Sequence, residues 1–187
     1  EALALISDAG TPLVSDPGFA LVRAAREAGF RVVPVPGPSA LICALSAAGL
    51  PSDRFLFEGF APRRPAARRG WLEGLRAEPR TLVFYEASHR ILDTLHDLAD
   101  IMGADRRGVL ARELTKLHET FLAGRLGELA PQVEADPQQR KGEFVMLVAG
   151  AEPASAAVGE AERVLRILVA ELPLKQAASL AAQITGA

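Results

Sequence analysis

The sequence predicts an α/β protein: two α/β units followed by a short helical tail. Three observations carry this reading. Strand-length apolar runs alternate with helix-period stretches, and turns of small residues join them, which is the pattern of parallel crossovers. The pattern breaks at Leu50-Pro51-Ser52-Asp53 and again over an Ala/Pro/Ser/Glu-rich stretch from Gly150 to Gly159, giving blocks 1–50, 51–150 and 151–187. Finally, 187 residues at 49% hydrophobic content suffice for one large or two small cores.

In the first block, Leu3, Ala4, Leu5 and Ile6 form a strand that runs into the small-residue loop Ser7–Gly18. A strand, a loop of small residues and a helix start together present backbone N–H groups to a ligand. Asp16-Pro17 has the form of an N-cap followed by proline at the first helical position. That assigns Asp16 to capping and leaves Ser7 to Pro12 as the first candidate for ligand contact. The helix from Phe19 to Ala28 is expected to bury Leu21, Val22 and Ala25 and to stop at Gly29. A strand over Arg31–Val35 completes a β-α-β unit with a right-handed crossover. Pro36-Gly37-Pro38-Ser39-Ala40 then opens a second helix, with Leu41, Ile42 and Leu45 on one face and Gly49 as its stop. Two such turns at the ends of neighbouring strands converge on one rim of a sheet.

The second block begins with a strand over Arg54–Glu58 and the turn Gly59-Phe60-Ala61-Pro62. A basic segment, Arg63, Arg64, Arg68 and Arg69, leads through Trp71 into a short helix ending near Arg76. Thr81–Tyr85 is a strand. Ser88 is placed to cap an amphipathic helix with Ile91, Leu92, Leu95, Leu98, Ala99 and Met102 inside, ended by Gly103. Val109–Ala111 and Phe121–Leu122 are brief strands, Gly127–Glu134 is a helix, and Glu143–Ala149 is a buried strand. Strands that come late and close together predict a mixed sheet. The third block is a linker, then helices over Glu160–Glu171 and Pro173–Ile184 with the look of a helix-turn-helix. Most hairpins of that look are packing units.

A formal net charge of −2 gives no global polyanion-binding signature, so a nucleic-acid surface has to be local. The single cysteine, Cys43, sits among apolar helix residues as a small hydrophobe and excludes a disulfide framework or a cysteine-based zinc site. Three histidines without i, i+4 spacing predict no metal centre. There is no membrane-span-length apolar run and no phosphate-loop or serine-elbow motif. The chain does not begin with Met and starts inside a strand pattern, which predicts a piece of something longer. Three charged clusters lie at strand ends: Glu86 to Arg90, Arg112 to Glu119, and Lys141 to Glu143.

Taken in order, several motifs closely resemble one family. They are Ser-Asp-Ala-Gly-Thr-Pro at Ser7–Pro12, Ser-Asp-Pro-Gly at Ser15–Gly18, Pro-Gly-Pro-Ser-Ala at Pro36–Ala40, and Glu-Gly-Phe-x-Pro at Glu58–Pro62. Phe-Tyr-Glu-x-x-His-Arg at Phe84–Arg90, Ala-Arg-Glu-Leu-Thr-Lys at Ala111–Lys116, Lys-Gly-Glu-Phe-Val at Lys141–Val145 and Leu-Pro-Leu-Lys-Gln-Ala-Ala at Leu172–Ala178 continue it. The chain resembles the ribosomal RNA small subunit methyltransferase I family, within the tetrapyrrole-methylase superfamily. The resemblance implies a tetrapyrrole-methylase-like fold whose two α/β domains hold S-adenosyl-L-methionine in the cleft between them. It implies 2′-O-methylation of a cytidine ribose in the decoding region of small-subunit ribosomal RNA. It also implies a cytoplasmic homodimer that takes this RNA or the 30S particle as partner.

By the same resemblance, the cofactor lies along Asp8, Ala9, Gly10, Thr11 and Pro12 and against Pro36, Gly37, Pro38, Ser39 and Ala40. Arg112, Glu113, Leu114, Gly142, Glu143 and Phe144 form the facing wall near its adenosine. Glu86, His89 and Glu113 are the candidate general bases, and no metal is required. Arg63, Arg64, Arg68, Arg69, Arg90 and Lys116 are the candidate RNA-binding cations. The family's opening Gly-x-Pro-Ile-Gly-Asn turn and its final basic helix have no counterpart here, so one wall of the cofactor site is expected outside this chain. Two alternatives are a small-molecule methylase of the same fold and a non-catalytic RNA- or ribosome-binding module.

Overall fold

The computed structural model describes residues 2–8 and 10–186; the side chains of 153–158 fall outside that description. In chain order the elements are α1 (Phe19–Glu27), α2 (Ala40–Ala47), β1 (Phe55–Phe60), α3 (Pro65–Leu75), β2 (Thr81–Ala87) and α4 (Ile91–Met102). They are followed by β3 (Arg107–Arg112), β4 (Thr120–Arg125), α5 (Leu126–Ala135), β5 (Glu143–Val148), α6 (Pro153–Val169) and α7 (Leu174–Thr185). Short 3-10 turns at Ser88–Arg90 and Pro137–Arg140 precede α4 and β5.

The five strands make one mixed sheet in the order β1-β2-β5-β3-β4. β1 and β2 are parallel and every other neighbouring pair is antiparallel, as the late cluster of strands predicted. The pairs Ala87↔Glu143, Arg112↔Phe144 and Arg112↔Thr120 put the ends of β2 and β3 and the starts of β4 and β5 on one edge. Phe60↔Tyr85 brings the end of β1 to the same edge.

Both faces of the sheet are covered, so its central strands are continuously apolar rather than alternating. One face sends Leu82, Phe84, Leu110, Phe144, Met146 and Val148 into a core with Leu72 of α3, Leu95 and Leu98 of α4, and Leu126 and Leu129 of α5. The other sends Val83, Val109, Ala111, Val145 and Leu147 against Leu41, Ala44 and Leu45 of α2. Burial of a leucine or phenylalanine at these positions contributes roughly 1.5–3 kcal/mol each. α2 therefore packs on the sheet that follows it. Ile42, expected on its inner face, is 53% exposed.

The first block departs from expectation. Residues 3–6 and 31–35 form no strand, and Leu3, Ile6, Val33 and Val35 are exposed. A strand exists through its ladder partners, and among the described residues these two segments have none. Likewise α1 buries no residue, so Leu21 is exposed rather than internal. Its N-cap is Gly18, not Asp16, and no side chain caps it. Its end follows the sequence. Gly29 lies at φ 78°, and Phe30 N to Ala25 O (2.9 Å) with Gly29 N to Arg26 O (3.0 Å) complete a Schellman motif.

Two further boundaries move. Ser88 makes no capping bond and lies in the 3-10 turn before α4. The stretch read as a linker up to Gly159 is helical from Pro153, so α6 is far longer than the sequence suggested. α6 and α7 form a helical hairpin joined at Leu172-Pro173, with Ala177 and Ala181 buried and Gly186 closing α7 in the left-handed region.

Candidate functional site

The two small-residue loops do converge. Thr11 Oγ1 donates to the carbonyl of Pro38 at 3.2 Å, tying the Ser7–Gly18 loop to the turn that opens α2. The same loop reaches the sheet: Ser15 Oγ lies 3.3 Å from where a Cβ on Gly59 would stand. Asp8, Gly10, Thr11, Pro36, Gly37 and Pro38 are all exposed around this junction. Space is open beside Gly10, at φ 81°, and beside Gly37, where an added Cβ would meet nothing within 4 Å. Ala9 lies outside the described residues.

All four non-glycine residues with positive φ among the described residues lie in the two longest motif loops. They are Leu13 (73°) and Ser15 (55°) in the first loop, and Glu113 (50°) and Thr115 (63°) beyond β3. Each such conformation costs of order 1–3 kcal/mol and persists only where surrounding contacts enforce it. At Glu113 those contacts are visible. Its amide donates to the carbonyl of Glu143 at 2.9 Å, and its Oε1 accepts from the Glu143 amide at 2.8 Å and from Lys116 Nζ at 3.1 Å. Lys116 Nζ also reaches Glu143 Oε2 at 2.9 Å. The Glu143 amide, then Lys116, hold the Glu113 carboxyl below the usual carboxylate range. Gly142 makes room for it: a Cβ there would lie 2.6 Å from the Glu113 carboxylate.

The candidate bases fare differently. Glu86 is 2% exposed, and its oxygens accept from Arg90 (2.6 Å), the Ala87 amide (2.7 Å) and Thr94 Oγ1 (2.6 Å). It is an internal hub near the end of β2, tied to the start of α4 through Arg90 and Thr94. Glu113 is a loop clamp. His89 is exposed and lines a cleft of about 370 Å³ with Ser88, Ile91, Leu92, Asp93 and Arg140. A second cleft, of about 440 Å³, lies beyond β3 between Arg112, Leu117, His118, Thr120 and Gln138–Gln139. Neither cleft includes the junction of the two loops.

Two residues of the facing wall are committed inward. Arg112 is 7% exposed and donates to the carbonyls of Lys141 (2.6 Å) and His118 (2.9 Å), so it braces the loops at the wall of the second cleft. Phe144 is 2% exposed with its ring in the helix-side core. Leu114 and Gly142 stay half-buried at the edge.

The basic segment splits in two. Arg68, expected on a surface, is 3% exposed and paired with Asp97; Arg69 binds Asp97 and Asp100. Arg90 turns inward to Glu86 and to the carbonyl of Ala61 at 3.1 Å. Arg63 and Arg64 are exposed, and no ion pair engages either among the described residues.

Tyr85 is the site residue that the sequence did not single out. Its ring stacks edge-on against Phe57 (5.0 Å) and Phe60 (5.4 Å), on the α2 face of the sheet edge. Burial pushes its phenol up, and a hydrogen bond with the Leu41 backbone pulls it partway back. That bond ties the sheet edge to the start of α2, beside the Pro36–Ala40 turn. An aromatic pair flanking Gly59 across the Phe-Tyr-Glu motif was the available signal.

A family model described as Tetrapyrrole (Corrin/Porphyrin) Methylases matches residues 1–130, and one described as RsmI C-terminal HTH domain matches residues 155–187. A protein of Xylella fastidiosa named ribosomal RNA small subunit methyltransferase I is 62% identical, covering 100% of this chain and 69% of its own. Those of the same name from Pseudomonas aeruginosa (60% identical, 100% and 67% covered) and Escherichia coli O157:H7 (56%, 98% and 65%) are also similar. The chain thus spans about two thirds of the length of these relatives. Among solved structures, the methyltransferase CobJ superposes with a TM-score of 0.55 at 22% identity, covering 76% of this chain and 62% of that one. Diphthine synthase gives 0.54 at 18%, covering 75% and 57%. At such identities the likeness is one of fold.

Proposed function

Because the chain belongs to the ribosomal RNA small subunit methyltransferase I family, we propose that it serves S-adenosylmethionine-dependent 2′-O-methylation of a cytidine in small-subunit ribosomal RNA. The observation that carries this reading is the junction of two exposed small-residue loops through Thr11 and Pro38, in a chain 62% identical to a named rRNA methyltransferase. The junction suits an extended, polar ligand, since open backbone at Gly10 and Gly37 lets such a group approach closely. Asp8, Gly10, Thr11 and Pro12 with Pro36–Ala40 would hold S-adenosylmethionine on one side, and Leu114 with Gly142 and the Glu143 backbone on the other. When bound, it supplies a methyl group on a positively charged sulfur, open to attack by an oxygen.

What the protein contributes is chiefly placement, because in-line transfer asks for little acid chemistry. The strained loops at Leu13–Ser15 and Glu113–Thr115 hold their backbones in place before any ligand arrives, and Arg112 and Lys116 brace the second of them. Of the candidate bases, Glu86 is internal, Glu113 is clamped and His89 lines a cleft apart from the loop junction, so on this reading placement rather than a strong base carries the transfer. The RNA partner on this reading is small-subunit ribosomal RNA or the 30S particle, the protein acts as a homodimer in the cytoplasm, and the cleft lies between blocks 1–50 and 51–150. No helix of the described residues is long and apolar enough to cross a membrane.

The test is a mass-resolved map of ribose methylation in ribosomal RNA from a deletion strain. Loss of one cytidine 2′-O-methyl group, restored by the wild-type gene, is expected. An unchanged map overturns the proposal.

A further inference from the structure

We propose that Phe60 is the stacking platform for the nucleobase of the RNA nucleotide being methylated, with Arg63 and Arg64 holding the phosphates beside it. This rests on the reading of the chain as an RNA methyltransferase. Phe60 ends β1 at the edge where the two small-residue loops meet, yet it is 54% exposed. That exposure leaves a face of the ring open at this edge, where an aromatic surface is available for stacking. Its ring is nevertheless fixed. It meets Tyr85 edge-on at 5.4 Å and 63°, and Tyr85 is itself packed edge-on against Phe57 at 5.0 Å. The result is a rigid flat ring with one side supported and the rest open.

The backbone aims it there. The ladder between β1 and β2 shifts register between Phe57 and Phe60, and Gly59 takes φ 67° at the shift. Such an irregularity re-aims the side chain that follows it. Ser15 of the first loop sits against Gly59, so the platform is positioned by the same loop that lines the proposed cofactor site. Three and four residues on, Arg63 and Arg64 are exposed and free of ion pairs among the described residues, whereas Arg68, Arg69 and Arg90 are spent on internal carboxylates. A flat aromatic face beside two unneutralised cations is the arrangement that takes an unstacked nucleotide by its base and backbone.

The test uses F60A, F60L and F60W in the protein expressed at full length, with small ribosomal subunits lacking the modification as substrate. Methyl transfer, S-adenosylmethionine affinity by calorimetry and oligomeric state by sedimentation are measured on each. F60A and F60L are expected to raise KM for the subunit about 10- to 100-fold, with cofactor affinity and oligomeric state unchanged. F60W is expected to keep KM near the wild-type value, because its face is at least as large. A wild-type KM in F60A or F60L overturns the stacking role, as does a loss of cofactor affinity or a change of oligomeric state in F60A. A wild-type protein that methylates no small-subunit RNA overturns the functional reading itself, and the stacking role with it.

Discussion

Arg68 and Asp97 form a buried ion pair between α3 and α4: Nε donates to Oδ2 at 2.7 Å, with 3% and 10% of the two side chains exposed. The other carboxylate oxygen accepts Arg69 at 2.5 Å, so one aspartate gathers two arginines of the basic segment. Removing one partner of such a pair strands a charge in the interior. Asp97→Ala is expected to destabilise the protein by about 3–5 kcal/mol, and Arg68→Met by clearly less, because the methionine leaves only the rescuable Asp97–Arg69 pair. Urea denaturation of the two variants checks the order.

The split of the basic segment makes a second expectation sharp. Arg63→Ala and Arg64→Ala should each flatten the dependence of log affinity for small-subunit RNA on log salt by about 0.7. Arg69→Ala should leave that slope unchanged, since its guanidinium is already neutralised by Asp97 and Asp100. Binding titrations across a salt series distinguish the two classes.

Thr94 and Arg90 both donate to Glu86. Thr94→Val leaves one buried carboxylate oxygen without its hydroxyl and should cost about 1–3 kcal/mol. If Glu86 is structural, methyl transfer by Thr94→Val at a temperature where it stays folded should keep the wild-type pH profile. A shifted profile would return Glu86 to the chemistry.

Glu78 carries the acid sensitivity of the opposite edge. Hydrogen bonds from the Arg80 side chain pull its pKa from 4.5 down to about 2. A carboxylate with a depressed folded value contributes stability that is complete above its unfolded pKa and lost as pH falls through the folded one. Thermal melts should therefore drop between pH 4.5 and about 2, and Glu78→Gln should show a shallower drop over that window.

Gly142 lies at φ 103° and its missing Cβ leaves space for the Glu113 carboxylate. Gly142→Ala should displace Glu113, loosen the loop to Lys116 and weaken cofactor binding at least tenfold. Glu113→Ala alone should weaken binding as well, because it removes the same clamp, and the double variant should recover nothing. Calorimetry on the single and double variants reads both contributions.

What was legible in the sequence follows from what periodicity records. The apolar runs of β2, β3 and β5 and the amphipathic α4 are visible because their burial pattern is local. Residues 3–6 and 31–35 carry the same apolar signal, but a strand also needs a neighbour, and no local pattern names one. The arginines illustrate the opposite failure. Four cations in seven residues looked like one surface, although Asp97 sits among the buried positions Thr94, Leu98 and Ile101 of α4. A carboxylate on that inner face calls for a buried cation from another element, and Arg68 is it. The site was legible as motifs, since the Thr11–Pro38 contact joins two loops that the sequence marks separately. Tyr85 and Phe60 were half legible: the motifs name both rings, but their contact comes from the pairing of β1 with β2, which sequence spacing does not encode.

The placement of β5 bears on how this chain is made. It is the last in sequence of the strands among the described residues, yet it lies in the middle, paired to β2 on one side and β3 on the other. Until residue 148 has emerged from the ribosome, β1-β2 and β3-β4 are two half-sheets, each with an open edge toward the gap. Closure then depends on contacts between residues more than 55 apart in the chain, as in Leu82↔Val148, which are slow to find. A nascent chain stalled before Glu143 would expose both inner edges at once, the situation that recruits chaperones or seeds aggregation. Closure of this sheet is thereby held back until β5 has been made.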